Sequence, residues 1–264
     1  MSKFKLELLG RLQRGLAVEG ETDKIIVEAF LNAGEKVGHW VDWRSLVSIQ
    51  ALEGSNNILK ALKQDSRIWG LIDRDWRTDQ EVQALQNDHS RLLILPRKTI
   101  ENYAIAPDEL NAMLPSAKKI PKLSERLETH LDRWIRHGAL SQTLHERHAH
   151  DFCRGDEGYP KALLNLPNID EPAIVAQVQT WYAQLEPTSM LGFYRETLNQ
   201  FSANPQQHYT HHIDGKLFFK EVTLKILNEA FAQKKEAAWV EDLFTGLSRC
   251  PVDIIPILAR VVTA

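Results

Sequence analysis

The chain has 264 residues, 43% of them hydrophobic and 25% charged, with a formal net charge of -3. That length builds one large domain or two modest ones, and the composition excludes extensive disorder. The charge excludes a protein that coats nucleic acid by bulk positive charge, but not an enzyme that gathers cations on carboxylates. No apolar run reaches the roughly 18 to 20 residues of a membrane span, and Lys5, Glu7 and Arg11 interrupt the N-terminal hydrophobicity, so neither anchor nor secretory signal is expected. Cys153 and Cys250 are too few for a disulfide framework or an all-cysteine zinc site, and a reducing cytoplasm is the expected location.

In chain order, GLAVEG at 15–20 reads as a short strand ending in a charged turn. The residues that follow place Ile25, Ile26, Ala29 and Phe30 at helical spacing before Gly34. LVSIQAL is a second strand, Ser55 caps a helix over about 56–64, RIWGLID is a buried strand and RLLILP another. Strands alternating with helices of this length imply a parallel sheet flanked by helices, because parallel neighbours need crossovers. The expected fold is therefore α/β over residues 1–118, followed by a mostly helical region over 119–264 in which ANPQQHYTHHIDG is a loop.

Ligands of open parallel sheets bind beyond the carboxyl ends of the strands. Glu19 follows the first strand, Asp73 and Asp75 follow the third, and Glu101 lies shortly after the fourth. Carboxylates gathered at one locus repel each other unless cations neutralise them, and an all-oxygen set suits magnesium or manganese, as one ion or two. Glu101 also has a plainer reading, as a cap on the backbone or an ion-pair partner of Arg97 or Lys98, and Asp23 as a helix cap. Glu21 is a solvated turn residue.

The residues VEGETDK at 18–24 and the Asp-x-Asp of LIDRD at 71–75 resemble the signature of the Toprim nucleases, including the overcoming-lysogenization-defect type. With LPRKTIENYAIAPDEL, and DGK at 214–216, the chain is most similar to Toprim-like proteins found beside ABC-type ATPases in bacterial anti-phage systems. The resemblance covers about the first 110 residues and the DGK. It implies that Glu19 is the acid/base or metal-binding glutamate, that Asp23, Asp73, Asp75 and Glu101 join it around the metal, and that Lys216 lies near the scissile phosphate. It further implies a metal-dependent endonuclease acting on DNA or RNA, an ABC-type ATPase partner and a role as a toxic defence effector. Self-association stays open. The competing readings are nucleotidyl transfer, as in primases, and a phosphate-binding or assembly module without catalysis.

The remaining constellations point elsewhere. Arg74 and Arg77 either meet phosphate or balance the acids, and Trp76 either stacks on a base or packs under its turn. His145, His148, His150 and Cys153, and His208, His211 and His212, read as solvated or nucleic-acid-facing histidines rather than a zinc site. Trp134, Trp181 and Trp239 lie in helical patterns as core or interface anchors. DGKLFF lacks the upstream glycine and the following Ser or Thr of a P-loop, so no ATPase activity is expected.

Overall fold

The computed structural model describes residues 4–6, 9–10, 13–115, 119–148 and 186–263, with 172, 176 and 179 as isolated helical positions. His150, Cys153 and Trp181 lie outside the described residues. Four strands form one sheet: β1 (Arg14–Val18), β2 (Val47–Ala51), β3 (Ile68–Ile72) and β4 (Leu92–Ile94). All are parallel, in the order β2-β1-β3-β4, with Leu16 opposite Ile49 and Trp69, and Ile72 opposite Ile94. The crossovers are helices: α1 (Glu21–Lys36), α2 (Ser55–Leu62) and α3 (Asp79–Asp88). The α/β architecture expected from the alternation is the one the chain adopts.

Both faces of the sheet are covered because neighbouring side chains of a strand point to opposite sides. Ala17, Ile68, Ile72, Leu92 and Ile94 pack with Ile58, Ala61 and Leu62 of α2, and Val82 and Leu85 of α3 close that layer. Gly70 is required there, since a Cβ would stand 2.4 Å from the Ile58 methyl. On α1 the buried side is Ile26, Val27, Phe30 and Leu31, and Phe30 meets the rings of Tyr103 and Phe244 edge-on at 5.0 and 5.7 Å. Gly54, at φ 103, rather than Ser55 is the N-cap of α2, because the turn needs a left-handed residue there that only glycine adopts cheaply.

After β4 come a 3-10 turn (Ile100–Ala104), α4 (Pro107–Met113), α5 (Leu123–His148), α6 (Pro187–Ala203), α7 (Gly215–Phe218), α8 (Leu224–Ala230), α9 (Glu236–Thr245) and α10 (Ile255–Thr263). Among the described residues no strand follows β4. The chain forms two compact units, Met1–His130 with Tyr209–Ala264, and Leu131–His208. That division differs from a single cut at residue 118, since Tyr209–Ala264 belongs with the sheet. Arg14 of β1, for example, donates to the carbonyls of Val261 and Val262 at 2.9 and 3.1 Å and so closes the end of α10. No helix among the described residues is long and apolar enough to cross a membrane.

The stretch expected as a loop before Asp214 is instead a 3-10 turn (Pro205–Gln207) running into a wide π turn (His208–His212). Its carbonyls are used by the sheet's own unit, as the N–H of Lys98 donates to Thr210 at 2.9 Å. His208 and His212 are buried, which corrects the expectation of a solvated histidine surface at these two positions.

Candidate active site

The strand order reverses at β1, whose neighbours are β2 and β3, so the switch point of the sheet lies beyond Val18 and Ile72. The next residues are Glu19 and Asp73. Glu19 ties the two strand ends together: its carboxylate accepts the Asp73 N–H at 3.3 Å, and its carbonyl accepts the Gly54 N–H at 3.1 Å. Asp23, in the first turn of α1, accepts the Gly20 N–H at 2.8 Å and so performs the capping role as well. Asp73 accepts the N–H of Ile100 at 3.0 Å, which fastens the 3-10 turn carrying Glu101 to the end of β3.

Asp75 takes the left-handed conformation, φ 53, with its N–H donating to the Lys98 carbonyl at 2.7 Å. A non-glycine residue is held there at a cost of about 1 kcal/mol or more. Its carboxylate pairs with Arg77 at 2.8 Å, and the same guanidinium reaches the carbonyls of Asp73 and Arg74. Arg74 pairs with Asp79. Both arginines therefore balance local carboxylates and carbonyls. Trp76 lies against Lys98, whose ammonium sits 2.8 Å from the ring centroid, so packing is the use made of that face.

Glu101 is only 3% exposed, and its Oε2 has no hydrogen-bond partner. The ion-pair form of the plainer reading of Glu101 is not realised, whereas its carboxylate does accept from its own backbone N–H and from Thr99, which is the backbone-capping form. Arg97 is taken by Glu109, through two bonds at 2.5 and 2.6 Å, and by Asp253 at 2.8 Å. Lys98 is itself 3% exposed with an Nζ that makes no hydrogen bond. Burial drives its amine well below the usual lysine range, with Asp214 and Asp75 opposing.

The electrostatics of the carboxylates share one sign. Burial, then Glu101 and Asp23, raises Asp73 well above the ordinary aspartate range. Asp23 is pushed up to about 7 by burial and Glu101, against the bond from Gly20. Glu19 is raised by burial and Asp75, and Glu101 is raised by burial. Lys216 enters from α7 and acts on Glu19, Asp23 and Glu101. Burial works to lower its own proton affinity, but Glu101, Asp23 and Asp73 raise it. All six residues singled out in the sequence are thus brought to one locus, which joins four separated segments of chain.

Sequence reasoning missed the joint that brings the last segment in. Asn102 is fully buried and bonds to the carbonyls of Tyr209 and Ile213. The one available signal was Gly215 ahead of Lys216: a Cβ there would stand 2.4 Å from the Asn102 Oδ1, so the backbones must come close.

A divalent cation fits the chemistry of this donor set, which is all hard oxygen and includes the buried, unpartnered Oε2 of Glu101. Among the described residues, no three Asp, Glu, His or Cys side chains converge tightly enough to hold an ion as they stand. Glu19, Asp23 and Asp73 each spend an oxygen on a backbone N–H, and Asp75 is turned to Arg77. A carboxylate has further lone pairs, so these bonds orient the groups without exhausting them.

Fold and site together define an α/β protein with an acidic, lysine-edged locus at the switch point of a parallel sheet. Comparison with family models, curated proteins and solved structures returns no match.

Proposed function

We propose that the protein is a metal-dependent endonuclease of the Toprim type that hydrolyses phosphodiester bonds in DNA or RNA. The observation that carries this reading is the set of mutually repelling carboxylates, Glu19, Asp23, Asp73, Asp75 and Glu101, gathered beside Lys216. A protein bears such repulsion when a cation relieves it. Glu19, Asp73 and Asp75 with Glu101 and Asp23 are the residues to hold magnesium or manganese, which when bound supplies a lowered water pKa and charge compensation for the phosphate.

In hydrolysis a water oxygen bonds to phosphorus while the bond to the leaving sugar oxygen breaks, and the water's proton must be accepted. Glu19, half-buried with raised proton affinity, is suited to take that proton. The Lys216 ammonium, kept protonated by the surrounding carboxylates, is suited to face the non-bridging oxygens as negative charge grows on them. The resemblance at VEGETDK, LIDRD and DGK extends the reading to a toxic effector of an anti-phage system held by an ABC-type ATPase partner.

A second reading, an assembly module without catalysis, is favoured by the backbone bonds that Glu19, Asp23 and Asp73 make. Titration of magnesium or manganese into the purified protein with plasmid, single-stranded DNA and tRNA separates the two. Cleavage lost in Glu19→Ala and kept in Glu21→Ala is the expected result, since Glu21 is exposed. Manganese affinity unchanged by Glu19→Ala sinks the metal site, and metal binding without cleavage of any substrate selects the assembly module.

A further inference from the structure

Asn102 is 0% exposed, and its amide works in two directions. Its Oδ1 accepts the Thr99 N–H at 2.8 Å and the Thr99 hydroxyl at 3.1 Å, within the turn that carries Glu101. Its Nδ2 donates to the carbonyls of Tyr209 at 2.7 Å and Ile213 at 3.1 Å, on the segment that leads into α7. Gly215 completes the joint, because a Cβ would meet the Asn102 Oδ1 at 2.4 Å and its backbone nitrogen at 2.6 Å. Lys216 follows directly. Its side chain is exposed, and α7 packs on the turn that carries Glu101, so the backbone at 213–216 sets how near its ammonium comes to the carboxylates.

We infer that Asn102 is the positioning residue that sets the Lys216 ammonium against the carboxylate cluster. Among neutral side chains, the primary amides alone carry a two-lone-pair acceptor and two donors, which this joint uses in full. Aspartate keeps the bonds from Thr99 but, when ionised, has nothing to donate to Tyr209 and Ile213. A buried carbonyl left without its donor is penalised, which favours local release of the segment. The placement stands apart from any chemistry. Its consequence for turnover rests on the endonuclease reading.

The test is zero-length carbodiimide coupling of the metal-free full chain, followed by peptide mass spectrometry. In the wild type Lys216 is expected to couple to Glu19, Asp23, Asp73 or Glu101. The Lys225–Glu221 pair, 3.0 Å apart on one helical face, serves as internal reference for folding. Asn102→Ala and Asn102→Asp are expected to lose the Lys216 link while keeping the reference link. If the alanine variant does not fold, the aspartate variant decides, since its shape is conserved. Undiminished Lys216 coupling in a folded variant overturns the inference, and so does a wild type that shows the reference link alone. Single-turnover cleavage adds the catalytic arm: Asn102→Ala, Lys216→Ala and the double variant are expected to lose the same factor, because one residue acts through the other. Additive losses overturn the positioning role. Absence of cleavage in the wild type counts against the endonuclease reading alone, since the coupling result involves no nucleic acid.

Discussion

The two edges of the sheet use the same residue types to opposite effect. At the amino edge, Asp65 accepts the N–H of Arg67 at 2.8 Å and pairs with its guanidinium at 2.8 Å, contacts that hold its carboxyl down at about 2. Arg91 there donates to the carbonyls of Leu62, Asp65 and Ile68, closing the end of α2 and the entry to β3. At the carboxyl edge Glu19, Asp23, Asp73 and Glu101 are all raised, by burial and by one another. Charge at the amino edge serves the fold. Charge at the carboxyl edge is a standing cost to the fold, and it sits where strand order reverses, which is where sheets of this kind bind ligands.

The sharpest way to break the contrast is Asp73→Asn, which keeps an acceptor for the Ile100 N–H and removes only the charge. Under the endonuclease reading it abolishes cleavage and weakens manganese binding, measured by calorimetry, with the thermal transition retained. A variant that binds manganese as the wild type does would return the carboxyl edge to the status of the amino edge.

Lys216→Ala tests the cation that α7 brings near the cluster. Turnover at saturating manganese is expected to fall by about 10- to 1000-fold, the scale of losing one electrostatic stabiliser, without weaker metal binding. A wild-type single-turnover rate would leave α7 as a turn only.

Stability against pH sharpens the comparison without nucleic acid. Asp23, with its folded value about 7 above an ordinary 3.8, contributes stability that is complete below about pH 4 and lost as pH rises through about 7. Thermal melting of the metal-free protein in chelator is therefore expected to decline over that window. Asp23→Asn should flatten the decline and raise the melting temperature at about pH 8, since the amide oxygen still accepts from Gly20. A variant less stable than wild type at that pH would mean that the cap bond needs the charge.

The smallest effect belongs to the amino edge. The stability Asp65 supplies is present above about pH 4 and lost as pH falls through about 2, the reverse sign. Asp65→Asn should lower the melting temperature slightly near neutral pH, because an exposed ion pair contributes little, and should leave manganese affinity untouched. A loss of manganese affinity there would dissolve the distinction between the edges.

Much of the fold was legible because the period-two and 3.6-residue patterns are local. GLAV, VSIQA, IWGLI and LLI alternate with amphipathic helices, and crossover geometry then requires parallel strands. The acids after β1 and β3 were legible for the same reason, since position after a strand is a sequence property. The HYTHH turn was not, because what turns it from loop to helical turn is the Lys98 N–H and the Asn102 amide, both from distant parts of the chain.

By itself, then, the sequence determined the parallel α/β scaffold and the side of the sheet on which Glu19, Asp73 and Asp75 emerge. Tertiary structure alone decided that Tyr209–Ala264 returns to the sheet, that Arg97 is spent on Glu109 and Asp253 rather than Glu101, and that the segment carrying Lys216 packs on the turn carrying Glu101. The physical reason is range: side-chain periodicity acts over one turn or one pleat. The Asn102 and Gly215 joint is a contact between residues more than a hundred positions apart, and only close packing of two backbones brings it about.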